Sequence, residues 1–598
     1  VVDNLSYTVY DRWSRRDAGV YFFGECFQVF IEGCRGDWKV MPGLFEVVTG
    51  KKYFDIDTVT FKFPKIKENM VKEKRDSCFY HFGFSFGHAA FVYKKCNGSM
   101  NGAMSRQFKL KEPESKKDQD EVGNLKLLFP DNDYSLGNSF HEALIANQRK
   151  FYLENSDDIC RIWDEQIGRH EYEFDTSEGA VLLTLEAHQK MLLRQARYKQ
   201  VEIEGRIARR TYFDFVTWFL KCPEYAKYGK YGRIVVDVTT EGSLIRVHFA
   251  NSWKKFTNGK VLVFGRFRCW YQGDQNYFDI LGMFERHLNH TDEILVTNSS
   301  DDGLMTWWDS FERFTYLIDI STNDSGHGTF SHLHFTKLCG MSIDQADNYM
   351  QTVSSIVRVY DEDKRNFFEL QPLTLYLPSG LGDTTVKNNP VYPDLAYIVN
   401  KLLERGYKMC IALVTCAGFI MGHRFSYQRV ERIEELQFLK QSPFYLNGKL
   451  EHMVNLGVLF RYSGKCVNQL PDISYPKMFD THELKCLYFQ SLLTFGFFKY
   501  NRYYPVLKHL CPYFEYILGA EWEHTEQLII ASPKHFDILK SQDRPVLFHT
   551  TESFYARYSL TLNQIDVFES LLVSTGLGSC IFCELVDVVL EADYGYSW

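Results

Sequence analysis

The side chains best equipped for chemistry in this chain are carboxylates gathered at the ends of apolar runs. In 292-DEILVTNSSDDGLMTWWDS-310, Ile294, Leu295 and Val296 read as a strand. Ser299 to Gly303 carry turn chemistry, and Leu304 to Trp308 read as the return strand. That is a β-hairpin with Asp301 and Asp302 at its tip. The next apolar run, 314-FTYLIDISTND-324, reads as a strand delivering Asp319, with Asp324 five positions on. An Asp-Asp-Gly sequence alone is most often a solvated turn. Two strand ends that both deliver acids suit divalent cations, because Mg²⁺ takes oxygen ligands, usually one or two carboxylates plus substrate phosphates. A pair of such ions can clamp both the attacking and the leaving oxygen of a displacement at phosphorus.

A second pattern lies downstream in 377-LPSGLGDTTVKNNP-390, where Ser379 and Gly380 are followed by Thr384 and Asn388, S-G-x₃-T-x₃-N. A flexible glycine loop opens a helix here, and Thr384 and Asn388, four apart, fall on one helical face. A small-residue loop lets backbone approach a nucleotide closely, and an Asn amide can read a hydroxyl.

Taken together, D-x₄-D at Asp319 and Asp324, the Ser379–Asn388 pattern and the hairpin S-D-D at Ser300–Asp302 resemble palm motifs A, B and C of viral RNA-dependent RNA polymerases. Downstream, 436-LQFLKQSPFYLNGKL-450 resembles the motif E turn before the thumb. Upstream, 230-KYGRIVVDVTTEGSL-244 resembles motif F, the basic element over the incoming triphosphate. The order is unusual. No Asp occurs between Asp394 and Asp472, so nothing after motif B can serve as the acidic hairpin, and motif C must precede motif A. This C–A–B order resembles the permuted palms of birnaviruses and permutotetraviruses, and the short link 309-DSFERF-314 suffices to join the hairpin to its neighbouring strand. Two departures stand out: both acids of the hairpin are kept, where those groups usually end the triplet in a neutral residue, and Ser300 replaces the usual Gly or Ala.

The resemblance implies an α+β right-hand fold of fingers, palm and thumb, with a permuted, antiparallel palm sheet. It also implies RNA-directed RNA polymerisation with two Mg²⁺ or Mn²⁺ ions. Asp319 and Asp301 would hold both ions and Asp302 would support them. Asp324 and Asn388, with Ser379, would recognise the ribose 2′-hydroxyl, beside Gly380 and Thr384 of the same loop and helix. Lys230 and Arg233 would meet the triphosphate. Arg206, Arg209, Arg210 and Lys440 are candidate RNA contacts, and His423, Arg424 or Lys408 candidate general acids. Implied partners are template and nascent RNA, ribonucleoside triphosphates and other viral replication proteins, in host cytoplasm or the virion. A reverse transcriptase is disfavoured by the Ser-Gly…Asn pattern. A polymerase-like scaffold without catalysis stays open, as does self-nucleotidylation at Ser6 or Tyr7 for initiation.

The elements that must position these groups are legible in outline. The 598 residues suffice for several lobes, with 45% hydrophobic and 16% aromatic residues arguing against disorder. A net charge of −8 gives no global basic field, so nucleic acid would need a local basic channel. The reading assigns 1–138 to an N-terminal extension or outer fingers, 139–290 to fingers with motif F, 291–450 to the palm and 451–598 to the thumb. Helical spacing marks 139–168, 179–200 and about 384–405, and the charged stretch 109-KLKEPESKKDQDEVG-123 reads as a linker or loop. The fifteen cysteines are scattered and only Cys580 and Cys583 form C-x-x-C, which points to reduced thiols rather than zinc. The run His327, His332, His334, Cys339 fits no usual zinc spacing. The chain opens Val-Val-Asp with no charged and apolar leader, and its longest apolar run, 409–422, is too short to span a bilayer. A soluble protein is expected.

Overall fold

The computed structural model describes residues 140–172, 215–220, 233–237, 240–271, 277–289, 292–321, 323–341, 356–360, 367–372, 376–462 except 447, 557–574 and 580–595, with isolated positions and three short strands before residue 90. The expected segments 109–123 and 179–200 lie outside the described residues. The architecture is mixed α and β, with sheets that are mainly antiparallel.

One six-stranded sheet carries the acidic hairpin. Its strands are β1 (Val261–Phe264), β2 (Phe267–Tyr271), β3 (Ile294–Ser299), β4 (Asp302–Asp309), β5 (Glu312–Ile320) and β6 (Phe425–Val430), and they lie side by side in that order. All neighbours are antiparallel except β2 and β3, which run parallel. A parallel step needs a crossover, supplied here by the helix Tyr277–Asn289.

Period-2 patterning divides β4 and β5 between two cores. Met305 and Trp307, with Tyr316, Ile318 and Ile320, enter the larger core, whereas Leu304 and Leu317 face a smaller one. The smaller core also contains Met283 and Phe284 of the crossover helix and Phe438 beyond β6. β3 is buried along nearly its whole length, which explains why 294-ILV-296 reads as a continuous apolar run rather than an alternation.

The larger core is built around helices α1 (Phe140–Ile167), α2 (Thr240–Thr257), α4 (Thr329–Leu338), α5 (Thr384–Asn388), α6 (Val391–Glu404) and α7 (Ile411–Ile420), while the crossover helix Tyr277–Asn289, α3, packs in the smaller one. Trp163 of α1 stacks on Trp253 of α2, with ring centroids 6.1 Å apart, and Tyr392 and Leu395 of α6 are fully buried beside the sheet. The expected helix over 139–168 matches α1, while the stretch near 384–405 is two helices. Pro390 interrupts them because it lacks an N–H to continue the helical ladder. That break turns out to matter, since the preceding Asn389 reaches the acidic hairpin. The apolar run at 409–422 is α7, a mostly buried core helix. Among the described residues no helix is long and apolar enough to cross a membrane.

A second six-stranded sheet orders the strands 38–40, 27–32, 367–372, 356–360, 215–220 and 234–237. Its last strand, Ile234–Asp237, follows Arg233 directly and receives the Ser379–Gly380 loop. Val236 N donates to Ser379 O at 2.7 Å. A Cβ on Gly380, whose φ is 100°, would lie 2.7 Å from Val235 Cγ1 and 3.1 Å from Val236 O. Here the glycine is needed twice, for its backbone conformation and for the close approach of two chains.

After β6 the chain makes a turn at Phe438–Lys440 and a hairpin of β7 (Gln441–Leu446) and β8 (Lys449–Val454). Leu439 and Lys440 both have positive φ, 52° and 60°. The C-terminal helix α8 (Glu584–Tyr594) docks against this turn: Lys440 Nζ donates to Asp593 O and lies 4.4 Å from the Tyr594 ring centroid.

Gly303, the third residue of the hairpin's D-D-G, lies against the Tyr392 ring, where an added Cβ would meet Cε1 at 2.2 Å. Because Tyr392 is fully buried it has nowhere to go. Gly303→Ala is therefore expected to destabilise the protein by about 1–3 kcal/mol, read as a lowered thermal midpoint. An unchanged midpoint would mean that the ring is free to move.

Candidate active site

The hairpin that carries Asp301 and Asp302 has a two-residue turn, tighter than the Ser299–Gly303 span expected. Ser299 pairs with Asp302, leaving Ser300 and Asp301 at the apex. Ser300 has φ 53°, a region where Gly is the ordinary choice. Contacts from Asn389, at the break between α5 and α6, hold it there. Ser300 N donates to Asn389 Oδ1 at 2.7 Å, and Asn298 Nδ2 donates to Asn389 O at 3.0 Å. Tyr392 anchors the other side, its hydroxyl 2.5 Å from Asp301 O and 3.0 Å from Ile318 O. One phenol thus ties the turn to β5.

Asp319 lies next to this turn. Gly303 is opposite Ile318 in the β4–β5 register, so continuing by one residue places Asp319 level with Asp302. Side chains at opposite positions of antiparallel strands project from the same face about 5 Å apart. Both acids belong to the face that carries Leu304 and Leu317, toward the Phe438–Lys440 turn, and both are solvent-exposed. Asp301 is partly buried at the apex, its Oδ1 accepting from Asn323 Nδ2 at 2.7 Å.

Electrostatics report the same convergence. Burial raises the Tyr392 phenol well above its ordinary range, and the negative charges of Asp302, Asp319 and Asp301 raise it further. The carboxyl groups of Asp301 and Asp302 are themselves raised, first by partial desolvation on the side where protein packs around them. Arg233 opposes that rise at Asp301, and Lys440 opposes it at Asp302. Arg233 and Lys440 therefore lie on the site's periphery as its positive charges.

Asp324 begins the next layer. Burial, and then repulsion from Asp301, push its carboxyl up to about 6, against hydrogen bonds from Asn388 and Ser379. Asn388 Nδ2 donates to Asp324 Oδ1 at 3.2 Å and to Ser300 Oγ at 3.4 Å. Backbone bonds lock the two motifs together, Leu377 N donating to Asp324 O at 2.7 Å. From α1, Gln148 braces the same loop by donating to Gly326 O and accepting from Gly328 N at 2.9 Å.

An acid whose folded pKa lies above its unfolded value of 3.8 favours folding while protonated, and that contribution is lost as pH rises through about 6. Asp324→Asn is accordingly expected to gain stability relative to the wild type as pH rises from about 4 to about 7, measured by thermal melts in chelator. A melting difference that is flat with pH would contradict the raised carboxyl.

Of the expected site residues, Asp301, Asp302, Asp319, Asp324, Ser379 and Asn388 come together, with Arg233 and Lys440 close by. Thr384 shares α5 with Asn388, but its hydroxyl donates to Leu381 O at 2.9 Å and so secures its own turn. Lys230, Arg206, Arg209 and Arg210 lie outside the described residues. His423 is a poor general acid. It is fully buried, and desolvation followed by the Lys387 charge pushes its imidazole down to about 3. His327, His332 and His334 are buried and hydrogen-bonded to Asn388, Tyr376 and Ser156 respectively, which makes them core groups rather than zinc ligands. Asn323, Asn389, Tyr392 and His327 were not anticipated. The one local signal was the Asn-Asn-Pro break, which reads as a turn rather than as a brace for a distant hairpin.

Among the described residues, no group of three or more His, Cys, Asp and Glu side chains is already arranged to hold a metal ion. The donor chemistry nevertheless fits a hard cation: carboxylate oxygens on two strand ends, those of Asp301 and Asp302 raised by desolvation in a way a cation would reverse. An open shell is what Mg²⁺ uses when substrate phosphates and water complete its coordination.

No protein-family model matches the chain, and no curated protein matches it in sequence. Among solved structures it is similar to the RNA polymerase VP1 from Infectious Pancreatic Necrosis Virus, with 11% identity and a TM-score of 0.38 over 95% of this chain and 78% of that one.

Proposed function

We propose that this chain is an RNA-directed RNA polymerase with its palm motifs in the order C–A–B. The observation that carries this reading is the junction of three sequence-separated segments at one place: the Asp301–Asp302 turn, Asp319 level with it on the adjacent strand, and the Asp324–Asn388 pair behind them. A solvated acidic turn would require neither the bracing by Asn389 and Tyr392 nor the accompanying amide–carboxylate pair. In this reading residues 291–450 are the palm, 139–290 the fingers with the motif F element, 451–598 the thumb, and the N-terminal 138 residues an outer extension.

Asp319 and Asp301 would hold two Mg²⁺ or Mn²⁺ ions, with Asp302 in support. The chemistry such ions would supply there is a lowered pKa for the primer 3′-hydroxyl and charge stabilisation for the departing pyrophosphate. The protein's own share is positioning. The sheet fixes the acids on strand ends, Tyr392 fixes the turn, and Arg233 supplies a guanidinium fork for the triphosphate. Asp324 and Asn388 face the sugar, the carboxylate accepting from a 2′-hydroxyl and the amide donating to it, which favours ribonucleotides. Lys440, pinned by α8, faces the nascent RNA and the Asp302 side of the site.

Incorporation of labelled ribonucleotides on an RNA template, with Mg²⁺ or Mn²⁺ and with or without primer, tests the proposal. Template-dependent extension is the expected result. A folded wild type that is inert with every metal, template and primer would sink it.

A further inference from the structure

A buried polar network stands behind Asn388, and the polymerase reading does not use it. His327 Nε2 lies 2.7 Å from Asn388 Oδ1, and His327 Nδ1 lies 2.8 Å from Ser331 Oγ and 3.2 Å from Lys387 Nζ. Lys387 Nζ also donates to Ser331 Oγ at 2.8 Å and to Ser331 O at 3.2 Å. All four residues are buried, His327 and Ser331 completely.

The proton positions follow from the partners. Burial, and then the charge of Lys387, hold His327 well below its ordinary range, so the ring is neutral with a single N–H. Lys387 points a donor at Nδ1. Ser331 Oγ accepts from the same amine. Nδ1 is therefore the acceptor, and the proton sits on Nε2. Nε2–H donates to Asn388 Oδ1 and decides which way the amide faces. Turned the other way, the Asn388 NH₂ would meet a second donor in a site without solvent, leaving buried groups unpaired. The amide thus presents NH₂ to Asp324 and to Ser300, as the 3.2 and 3.4 Å contacts record.

We propose that His327, backed by Lys387, is a positioning residue that sets the Asn388 amide for recognition of a ribose 2′-hydroxyl; this rests on the polymerase reading. It touches no substrate. A His at this place does what the Asn cannot do alone, because an unbraced amide is nearly symmetric and can present its oxygen to the sugar oxygen instead.

The test compares ribo- with 2′-deoxyribonucleoside triphosphates in two ways: as the ratio of kcat/KM for incorporation, and as the ratio of Kd for ATP and 2′-dATP in Mg²⁺. In His327→Leu the ribo-to-deoxy ratio of kcat/KM is expected to fall by about tenfold and the ATP-to-2′-dATP ratio of Kd to rise by about the same factor, the size of one misplaced buried hydrogen bond. His327→Gln, whose amide N–H can reach Asn388, restores most of the selection. Lys387→Met keeps the aliphatic stem and removes the buried amine donor; it is expected to loosen selection by roughly threefold, and it decides the matter if His327→Leu does not fold. A wild type that selects ribose while His327→Leu and Lys387→Met select it equally well would overturn this inference and leave the polymerase reading intact. A wild type that incorporates nucleotides without sugar preference would do the same. A wild type that neither incorporates nor distinguishes the two ligands would overturn both.

Discussion

Asp319→Asn and Asp301→Asn are each expected to lower ribonucleotide incorporation by roughly 10³-fold or more, with folding unchanged, because each removes a charge that stabilises the reacting centre. Asn is nearly isosteric with Asp, so the two strands and the turn survive. For Asp319 this is direct, since its side chain is exposed and the β5 register depends on backbone bonds. Asp301 makes one side-chain hydrogen bond, from Asn323, which an Asn carbonyl also accepts. Asp302→Asn should cost less, roughly ten- to a hundredfold, since in the proposed site Asp302 would only support the ions held by Asp319 and Asp301. The comparison is informative about permutation. If Asp319→Asn is inactive while Asp301→Asn equals the wild type, the hairpin before β5 is not the metal-binding motif, and the C–A–B order falls. Loss in both variants, with circular dichroism unchanged, is the result expected of a single site built from β3, β4 and β5.

Breaking the ion pair beneath α8 is the second large expected effect. Asp593 is fully buried and ties three other segments to α8 at once. Its Oδ1 accepts from Arg557 Nη2 at 2.8 Å, and its Oδ2 accepts from Tyr558 Oη and Gly457 N, both at 2.8 Å. Its backbone carbonyl accepts from Lys440 Nζ and Gln437 Nε2. Desolvation raises the carboxyl and Arg557 is the main force against that rise, so the pair persists because its members satisfy each other. Asp593→Ala leaves the Arg557 guanidinium buried without its carboxylate and is expected to cost about 3–5 kcal/mol. The double replacement Asp593→Leu with Arg557→Met should recover much of that loss, since an apolar pair carries no stranded charge. Thermal and urea unfolding of all three proteins reads the difference. If the single variant loses less than about 1 kcal/mol, water must enter the site and solvate the arginine.

Much of the site was legible because strands and turns are encoded locally. A strand shows itself as an apolar run or a period of two, and a turn as clustered Ser, Asp and Gly, so the hairpin, the Asp319 strand and the Gly380 loop could be placed from residues within about ten positions of one another. The long helix α1 was visible for the same reason. The inverted motif order proposed here also starts from the sequence, in the absence of Asp between Asp394 and Asp472.

Tertiary structure alone decided how those pieces meet. Asn389 and Tyr392 brace a turn about ninety positions away, and His327 orients an amide 61 positions on. Such contacts have no local signature: a Tyr at an apolar helix position, a His among core residues and an Asn before Pro each have an adequate local explanation. Thr384 shows the converse, since its spacing suggested a face shared with Asn388 while its hydroxyl bonds its own turn. The sequence by itself determined which chemistry was available, in the carboxylates, the amide and the basic groups, and which elements carry them. Where those groups point, which are stripped of solvent and how far burial shifts their protonation depended on how distant segments fill one interior, because desolvation and hydrogen-bond pairing belong to the packed whole and not to any stretch of chain.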